Sequence, residues 1–329
     1  MVQYLHMIRI AVARGGISSE HDVSLKTGES ILRALGNHAD YKVFDLVQTK
    51  EGQWILRGLP IDLKELIHHV DLVWNSFHGE YGEDGKFAQD LELLGIPYVG
   101  SEPIPSAVSM NKHSTKCALQ NHGFLLSPHL QVSSGGGTME MVSKIHSHCS
   151  PPWIVKPTTG GSSVGTRVAK TIIELQNFIE EHNQNNEDVI VEQFVYGKEA
   201  SVFVAEGYRG EDLYAFPPIE IVVPDDRFFD LEMKYSGQAS EIVPGRFSEE
   251  EKNMLKTLAI QAHRLLGLRH FSRSDFIVTK RGIYYLETNT IPGMTEESLA
   301  PKAIKSVGGT LKDFVKHIVD LALHKKDSS

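Results

Sequence analysis

Cysteine is nearly absent from this chain. Its 329 residues hold two, Cys117 and Cys149, which share no metal-ligand spacing and are too few for a disulfide scaffold; so large a chain with two thiols fits a reducing compartment. Long apolar runs are missing too, and none approaches the ~20 residues a membrane-spanning helix needs. The opening stretch MVQYLHMIRIAVARGG lacks the charged start, apolar run and small-residue cleavage site of a secretory signal, so a cytoplasmic location is expected. Positive charge is in deficit: the formal net charge of −9 argues against a nucleic-acid-binding surface and leaves room only for local basic pockets. Gly15-Gly16 does not extend to the G-x-G-x-x-G pattern, which speaks against a nicotinamide enzyme. No Ser-His-Asp or Cys-His arrangement is visible, nor any internal repeat or low-complexity segment.

The remainder is ordinary for a globular protein, 41% hydrophobic and 23% charged, and long enough for two or three structural units. IRIAVA (8–13), YKVFDLV and DLVWNSF read as strands, separated by a helix to about Leu35 and a short helix at DLKELIHHV. That is βαβαβ order, the signature of a parallel sheet with helices on both faces. Ser19-Glu-His-Asp22 has the form of a capping box opening the first helix. A helix follows from about Lys86 to Leu94, then a strand PYVG, with a first boundary near residue 100. Beyond it come a helix with Lys112 and Lys116, a loop at 133–137, the strand WIVK, a helix 172–182, and strands DVIVEQFV, KEASVFVAE and IEIVVP. An amphipathic helix 248–266, a hairpin and terminal helices complete the chain.

Chemistry concentrates in a few places. FIVT and IYYLE flank Lys280-Arg-Gly282 as a hairpin. Asp275, Glu287 and Asn289 lie on it, and Glu287 and Asn289, two apart, share a face. Two readings stand: three polar residues facing solvent, or an all-oxygen site for a hard cation of the Mg²⁺ type. Lys156-Pro-Thr-Thr-Gly-Gly-Ser-Ser-Val-Gly165 follows an apolar strand. Its small residues let backbone N–H groups approach an anion, with Ser162, Ser163 and Lys156 as donors; it ends in no Gly-Lys-Ser/Thr and is not a P-loop. The alternative is a surface loop. Glu20 either caps a helix or faces a ligand at the carboxyl edge of the sheet. His78-Gly-Glu-Tyr-Gly-Glu-Asp-Gly85 is a shaped turn at a sheet edge, and Lys234-Tyr235 lies in a loop that reads as surface packing or a lid. Taken as one site, Lys112, Lys156 and Lys234 meet phosphates, the hairpin trio holds Mg²⁺ between them, and Glu192-Gln-Phe-Val195 offers backbone groups to a base.

GGISSEHDVSL, HGEYGEDG, ELLGIPYVGS, SMNKHSTK, VKPTTGGSSVG, VEQFVYGKE, FFDLEMKY, SRSDF and LETNTIPGMTEESL together, in this order and over nearly the whole chain, resemble the D-alanine–D-alanine ligases of the ATP-grasp superfamily. The resemblance implies an α/β chain with an ATP-grasp fold: an N-terminal Rossmann-like parallel-sheet domain over 1–100 with the first D-alanine site, a central α+β unit over 101–191 with the phosphate-binding loop, and a C-terminal α+β unit over 192–329. It implies ATP and two Mg²⁺ ions, for which Mn²⁺ substitutes, and a homodimer acting on D-alanine. By the same resemblance Lys112, Lys156, Ser163 and Lys234 hold ATP phosphates, Glu192, Phe194 and Val195 line the adenine pocket, and Glu199 holds the ribose. Asp275, Glu287 and Asn289 are implied metal ligands. Glu20, grouped with Ser162 and Tyr235, faces the first D-alanine, and His78 lies near it. Arg273 and the Gly293 N–H face the oxyanion, and Ser298 and Leu299 the second carboxylate. Arg14, Asp22, Gln193 and Leu231 depart from the family pattern, with Arg14 and Leu231 expected to bear on lid fit or substrate affinity. The alternatives are a second substrate of D-lactate or D-serine, or a catalytically silent nucleotide-binding protein.

Overall fold

The computed structural model describes residues 7–36, 38–160, 165–222 and 240–324. Ser162, Ser163, Leu231, Lys234 and Tyr235 lie outside the described residues.

The first sheet is built on β1 (Ile8–Gly15), β2 (Tyr41–Gln48), β3 (Trp54–Leu56), β4 (Leu59–Pro60), β5 (Leu72–Asn75) and β6 (Tyr98–Val99), in the order β4-β3-β2-β1-β5-β6. β1 runs parallel to both β2 and β5, and β5 to β6. β1 is buried on both faces. Ile10 and Val12 enter one core and Ala11 and Ala13 another, which is why the segment reads as a continuous apolar run. The connection from β1 passes through α1 (His21–Gly36) to β2 on one side, and the chain then returns to β5 on the other. The loops after β1 and β5 therefore diverge at the carboxyl edge and leave a crevice between them, the place where open α/β sheets bind ligands.

The capping box expected at Ser19 is not what opens α1. Just before it, the Ser18 hydroxyl accepts from the Glu20 N–H at 3.2 Å and donates to the His78 carbonyl at 2.6 Å, tying the two loops together. α2 (Lys86–Leu93), α3 (Pro103–Met110), α4 (Lys112–Leu119) and β7 (Leu125–Leu126) lead out of this region.

A second sheet comprises β8 (His129–Val132), β9 (Trp153–Pro157), β10 (Arg167–Ala169) and β11 (Val189–Gln193), antiparallel in the order β10-β9-β11-β8. α5 (Thr138–His148), a helix the sequence reading does not name, and α6 (Ile172–Gln184) cover one face over Trp153, Val155 and Val191. Lys156 and Glu192 alternate with these and so point to the opposite face. β11 spans the position 191/192 at which the sequence reading divides the chain.

The third sheet holds β12 (Lys198–Glu206), β13 (Leu213–Ala215), β14 (Ile219–Val222), β15 (Ser240–Ile242), β16 (Phe271–Thr279) and β17 (Gly282–Asn289), and β7 joins its edge parallel to β17. α7 (Glu249–Leu265), opened by a true capping box between Ser248 and Glu251, packs on Ala200, Val202, Val204 and Phe276. α8 (Leu299–Ser306) and α9 (Leu311–His324) follow. α9 does not stay with this sheet. Its Phe314, Val315, Ile318 and Val319 share a core with Ile10, Val12 and Trp74 of the first sheet, Ile31 of α1, and Phe203 and Phe271 of the third.

Candidate active site

The β16–β17 hairpin sets the chemistry. Its register pairs Arg273 with Asn289 and Asp275 with Glu287 on one face, and Ser274 with Thr288 on the other. A bulge follows: Phe276 pairs with Tyr285, so Leu286 is the extra residue. The bulge returns Phe276 and Tyr285 to the core face, where the Tyr285 hydroxyl donates to Thr288 Oγ1 at 2.7 Å. One strand pair thus carries an apolar hairpin at its tip and a polar site at its base.

Asp275 is buried and well partnered. Arg273 forks onto it, Nε to Oδ1 at 3.1 Å and Nη2 to Oδ2 at 2.8 Å, and Ser201, directly opposite on β12, donates to Oδ1 at 2.6 Å. The Arg273 guanidinium is held above its ordinary value, since Asp275, with Glu287 and Glu83 adding, outweighs burial. Asn289 Oδ1 accepts from the Ile291 N–H at 2.7 Å, which fixes the amide and leaves one lone pair.

Lys112 opens α4, whose N-cap Asn111 accepts from the Ser114 N–H at 2.8 Å. Its Nζ donates to the Gly160 carbonyl at 2.5 Å and lies 4.0 Å from Glu287 Oε2. Burial, with Lys156 adding, lowers its proton affinity, partly offset by Glu287. Lys112, Gly160, Glu83, Glu287 and Asn289 line one cleft. The hairpin, the helix start and the loop after β9 therefore converge.

Behind this cleft Glu192 is 2% exposed and bound by Lys156 Nζ at 2.8 Å, Lys116 Nζ at 3.1 Å and the Ser127 hydroxyl at 2.8 Å. Burial works to raise its carboxyl, but the two ammonium groups win and hold it far below the usual range. Lys116 carries no assignment from sequence. Its partner lies in another element, and only the i, i+4 spacing from Lys112 along α4 hinted that both face inward. The Phe194 N–H is committed to the Pro152 carbonyl at 2.8 Å, so of the two backbone groups after Gln193, Val195's is the one to consider for a base. Glu199 sits on β12 opposite Ile277.

From the crevice of the first sheet come Glu20, His78 and Glu83. His78 is buried, its Nε2 2.9 Å from Thr27 Oγ1 and its Nδ1 3.7 Å from Glu83 Oε1. Gly79 adopts φ +74°, donates its N–H to Glu83 Oε2 at 3.1 Å, and would place a Cβ 2.9 Å from Glu20 Oε2. It separates the two carboxylates, and no side chain fits there. Burial and then Glu83 raise the Glu20 carboxyl, partly offset by His78 and Lys112.

Gly293 lies against Ser298, where a Cβ would come 2.7 Å from Oγ, and Ser298 Oγ meets Thr295 Oγ1 at 2.8 Å as the N-cap of α8. Leu299 packs its side chain against the shared core. Arg14 does not reach toward the site: it clamps Asp45 at 2.7 and 2.6 Å and bonds Glu29 at 3.3 Å, its stem lying over Gly28.

The profile described as D-ala D-ala ligase C-terminus matches residues 119–320. The D-alanine–D-alanine ligase of Halalkalibacterium halodurans is 36% identical over 323 residues, covering 97% of this chain and 100% of the relative. The chain belongs to the D-alanine–D-alanine ligase family. Its fold agrees: the Vibrio cholerae D-alanyl-alanine synthetase A superposes with a TM-score of 0.86 at 29% identity, over 97% of this chain and 99% of that one. A D-alanine–D-alanine ligase from Bacillus anthracis, solved with ATP, superposes with a TM-score of 0.80 at 25% identity, over 98% of this chain and 99% of that one. The α/β architecture of this ligase is thus the ATP-grasp fold. No helix among the described residues of this ligase is long and apolar enough to cross a membrane.

Proposed function

We propose that this ligase joins two D-alanine molecules in the cytoplasm, at the expense of ATP, as a step in supplying peptidoglycan precursors. The observation that carries the reading is the convergence of Lys112, Glu287 and Asn289 on one cleft that Glu83 also lines, with Asp275 paired to Glu287 beside it and Glu20 across Gly79. Cations for a triphosphate thus adjoin carboxylates suited to an amino acid's ammonium. In this reading Lys112 and Lys156 take the phosphates, with Lys234 and the loop serines Ser162 and Ser163 beside them. Glu192, Phe194 and Val195 bound the base, and Glu199 takes the ribose. Glu20, grouped with Ser162 and Tyr235, holds the first ammonium near His78.

The donor set suits Mg²⁺. Asp275, Glu287 and Asn289 offer oxygen only, and the described residues contain no group of three or more His, Cys, Asp or Glu arranged for a metal. An ion here draws much of its shell from phosphates and water, as Mg²⁺ does. Two such ions, or Mn²⁺ in their place, would neutralise charge on the transferring phosphoryl group.

The first carboxylate attacks the γ-phosphate and becomes an acyl phosphate with loss of ADP. The second amine, once neutral, attacks the acyl carbon. Arg273, kept fully charged by its carboxylate neighbours, and the Gly293 N–H stabilise the oxyanion, a contribution of about 3 kcal/mol for one such donor. Phosphate departs and the dipeptide forms. Ser298 and the Leu299 N–H at the start of α8 take the second carboxylate, where the helix dipole favours an anion. The same reading includes a homodimer, which light scattering of the purified chain reports.

Purified protein with ATP, Mg²⁺ and D-alanine is expected to release phosphate and dipeptide in equal amounts. Absence of D-alanine-dependent phosphate release overturns the reading, and preferential ester formation with D-lactate near neutral pH would reassign the second substrate.

A further inference from the structure

One buried carboxylate here faces two buried ammonium groups. Glu192 Oε1 lies 2.8 Å from Lys156 Nζ, and Oε2 lies 3.1 Å from Lys116 Nζ. The lysines differ in access. Lys116, on α4, is 0% exposed and can touch no ligand, whereas Lys156, at the end of β9, keeps 8% exposure beside the loop that reaches Lys112 through Gly160. One carboxylate is neutralised by one cation. With both lysines charged the trio carries a net positive charge; with Lys156 alone it would be neutral, and Lys156 could approach a phosphate only by stranding Glu192 unpaired in the interior, which is strongly unfavourable.

We propose that Lys116 is a positioning residue for nucleotide binding: the resident counter-ion of Glu192, it frees the charge of Lys156 for the nucleotide's phosphates. The inference rests on the reading that Lys156 meets ATP. The Ser127 hydroxyl, donating to the oxygen that Lys116 engages, strengthens the sealed half of the cluster. The Lys156 half has no such second donor among the described side chains, which makes it the side that can let go.

The test compares binding of a non-hydrolysable ATP analogue with binding of adenosine, which has the base and ribose but no phosphate. Lys116→Met is expected to weaken the analogue by about tenfold, the weight of one hydrogen bond to a charged group, while adenosine binding holds. In the double variant Lys116→Met/Glu192→Gln, Lys156 has no carboxylate to serve, and the ratio of analogue to adenosine affinity is expected to return toward wild type, adenosine reporting separately any effect of Glu192 on the base. Where the single variant fails to fold, the double variant carries the test by itself. Unchanged analogue binding in Lys116→Met, equal loss of analogue and adenosine, or a double variant no better than the single overturns the proposal. If the wild-type protein binds no ATP analogue at all, the underlying reading fails instead.

Discussion

Lys112 stands where a helix least welcomes a cation, in the first turn of α4, and is buried as well. Free N–H groups and the helix dipole both favour an anion there. Such a placement makes physical sense when an anionic ligand completes it. Glu287, 4.0 Å away, is its ion-pair partner among the described residues. Glu287→Gln keeps the shape and removes the charge. Turnover is expected to fall by about 100-fold, as for loss of a metal-site group, with the melting temperature shifting by no more than ~2 °C. Activity within a few-fold of wild type would remove Glu287 from the metal site. Glu20 gives a second prediction. Burial, with Glu83 second, raises its carboxyl, and Glu20 must be ionised to hold an ammonium. Activity at low D-alanine therefore falls as pH drops through that raised value. Glu83→Gln removes a neighbouring negative charge, lowers the value, and carries kcat/KM for D-alanine to lower pH. An acid limb that stays in place contradicts the pairing.

At the scale of elements, the joint between the second and third sheets is closely packed. Gly197 leads from the segment proposed to bound the base into β12, and a Cβ there would lie 2.4 Å from the Val278 carbonyl and 2.5 Å from Ile277 Cγ2. Gly197→Ala must push β12 off β16, at a cost of about 1–3 kcal/mol by analogy with overpacking. Because Ser201 and Asp275 face each other across that pair, turnover should fall alongside urea stability; loss of neither refutes the close approach. Local pattern made much of this legible. The apolar runs of β1, β9 and β11, the amphipathic pattern of α7, and the i, i+2 relation of Glu287 and Asn289 are short-range signals. What stayed hidden depends on partners far along the chain. Ser201 reads as one small residue in an apolar strand until the register sets it against Asp275, and Lys116 reads as a surface helix lysine until β11 brings Glu192 beneath it. The bulge at Leu286 is likewise a property of pairing. Arg14 looked like a departure near the substrate loop, yet Asp45 on the neighbouring strand turns it away.

Across the whole molecule, the Glu192 cluster predicts an acid response. Burial alone would raise its carboxyl, but Lys116 and Lys156 hold it well below the ordinary range. A depressed acid stabilises the fold above its unfolded value of ~4.3, and that stabilisation is withdrawn as pH falls below it toward the depressed value. The melting temperature should therefore drop steeply on acidification below about pH 4, and Glu192→Gln should flatten that slope; parallel wild-type and variant curves would show that the cluster contributes nothing to it. The same scale view shows where the molecule closes. α9 supplies Phe314, Val315, Ile318 and Val319 to the core under β1, and Tyr41 on β2 donates to Asp320 at 3.3 Å. β1 is thus roofed by α9, a helix synthesised long after it. A nascent chain can pair β1 with β2 early, but Ile10, Val12 and Trp74 stay without part of their apolar cover until α9 has been made. Synthesis order and assembly order run opposite ways at this sheet, and a chain cut short before α9 leaves the core beside β1 uncovered.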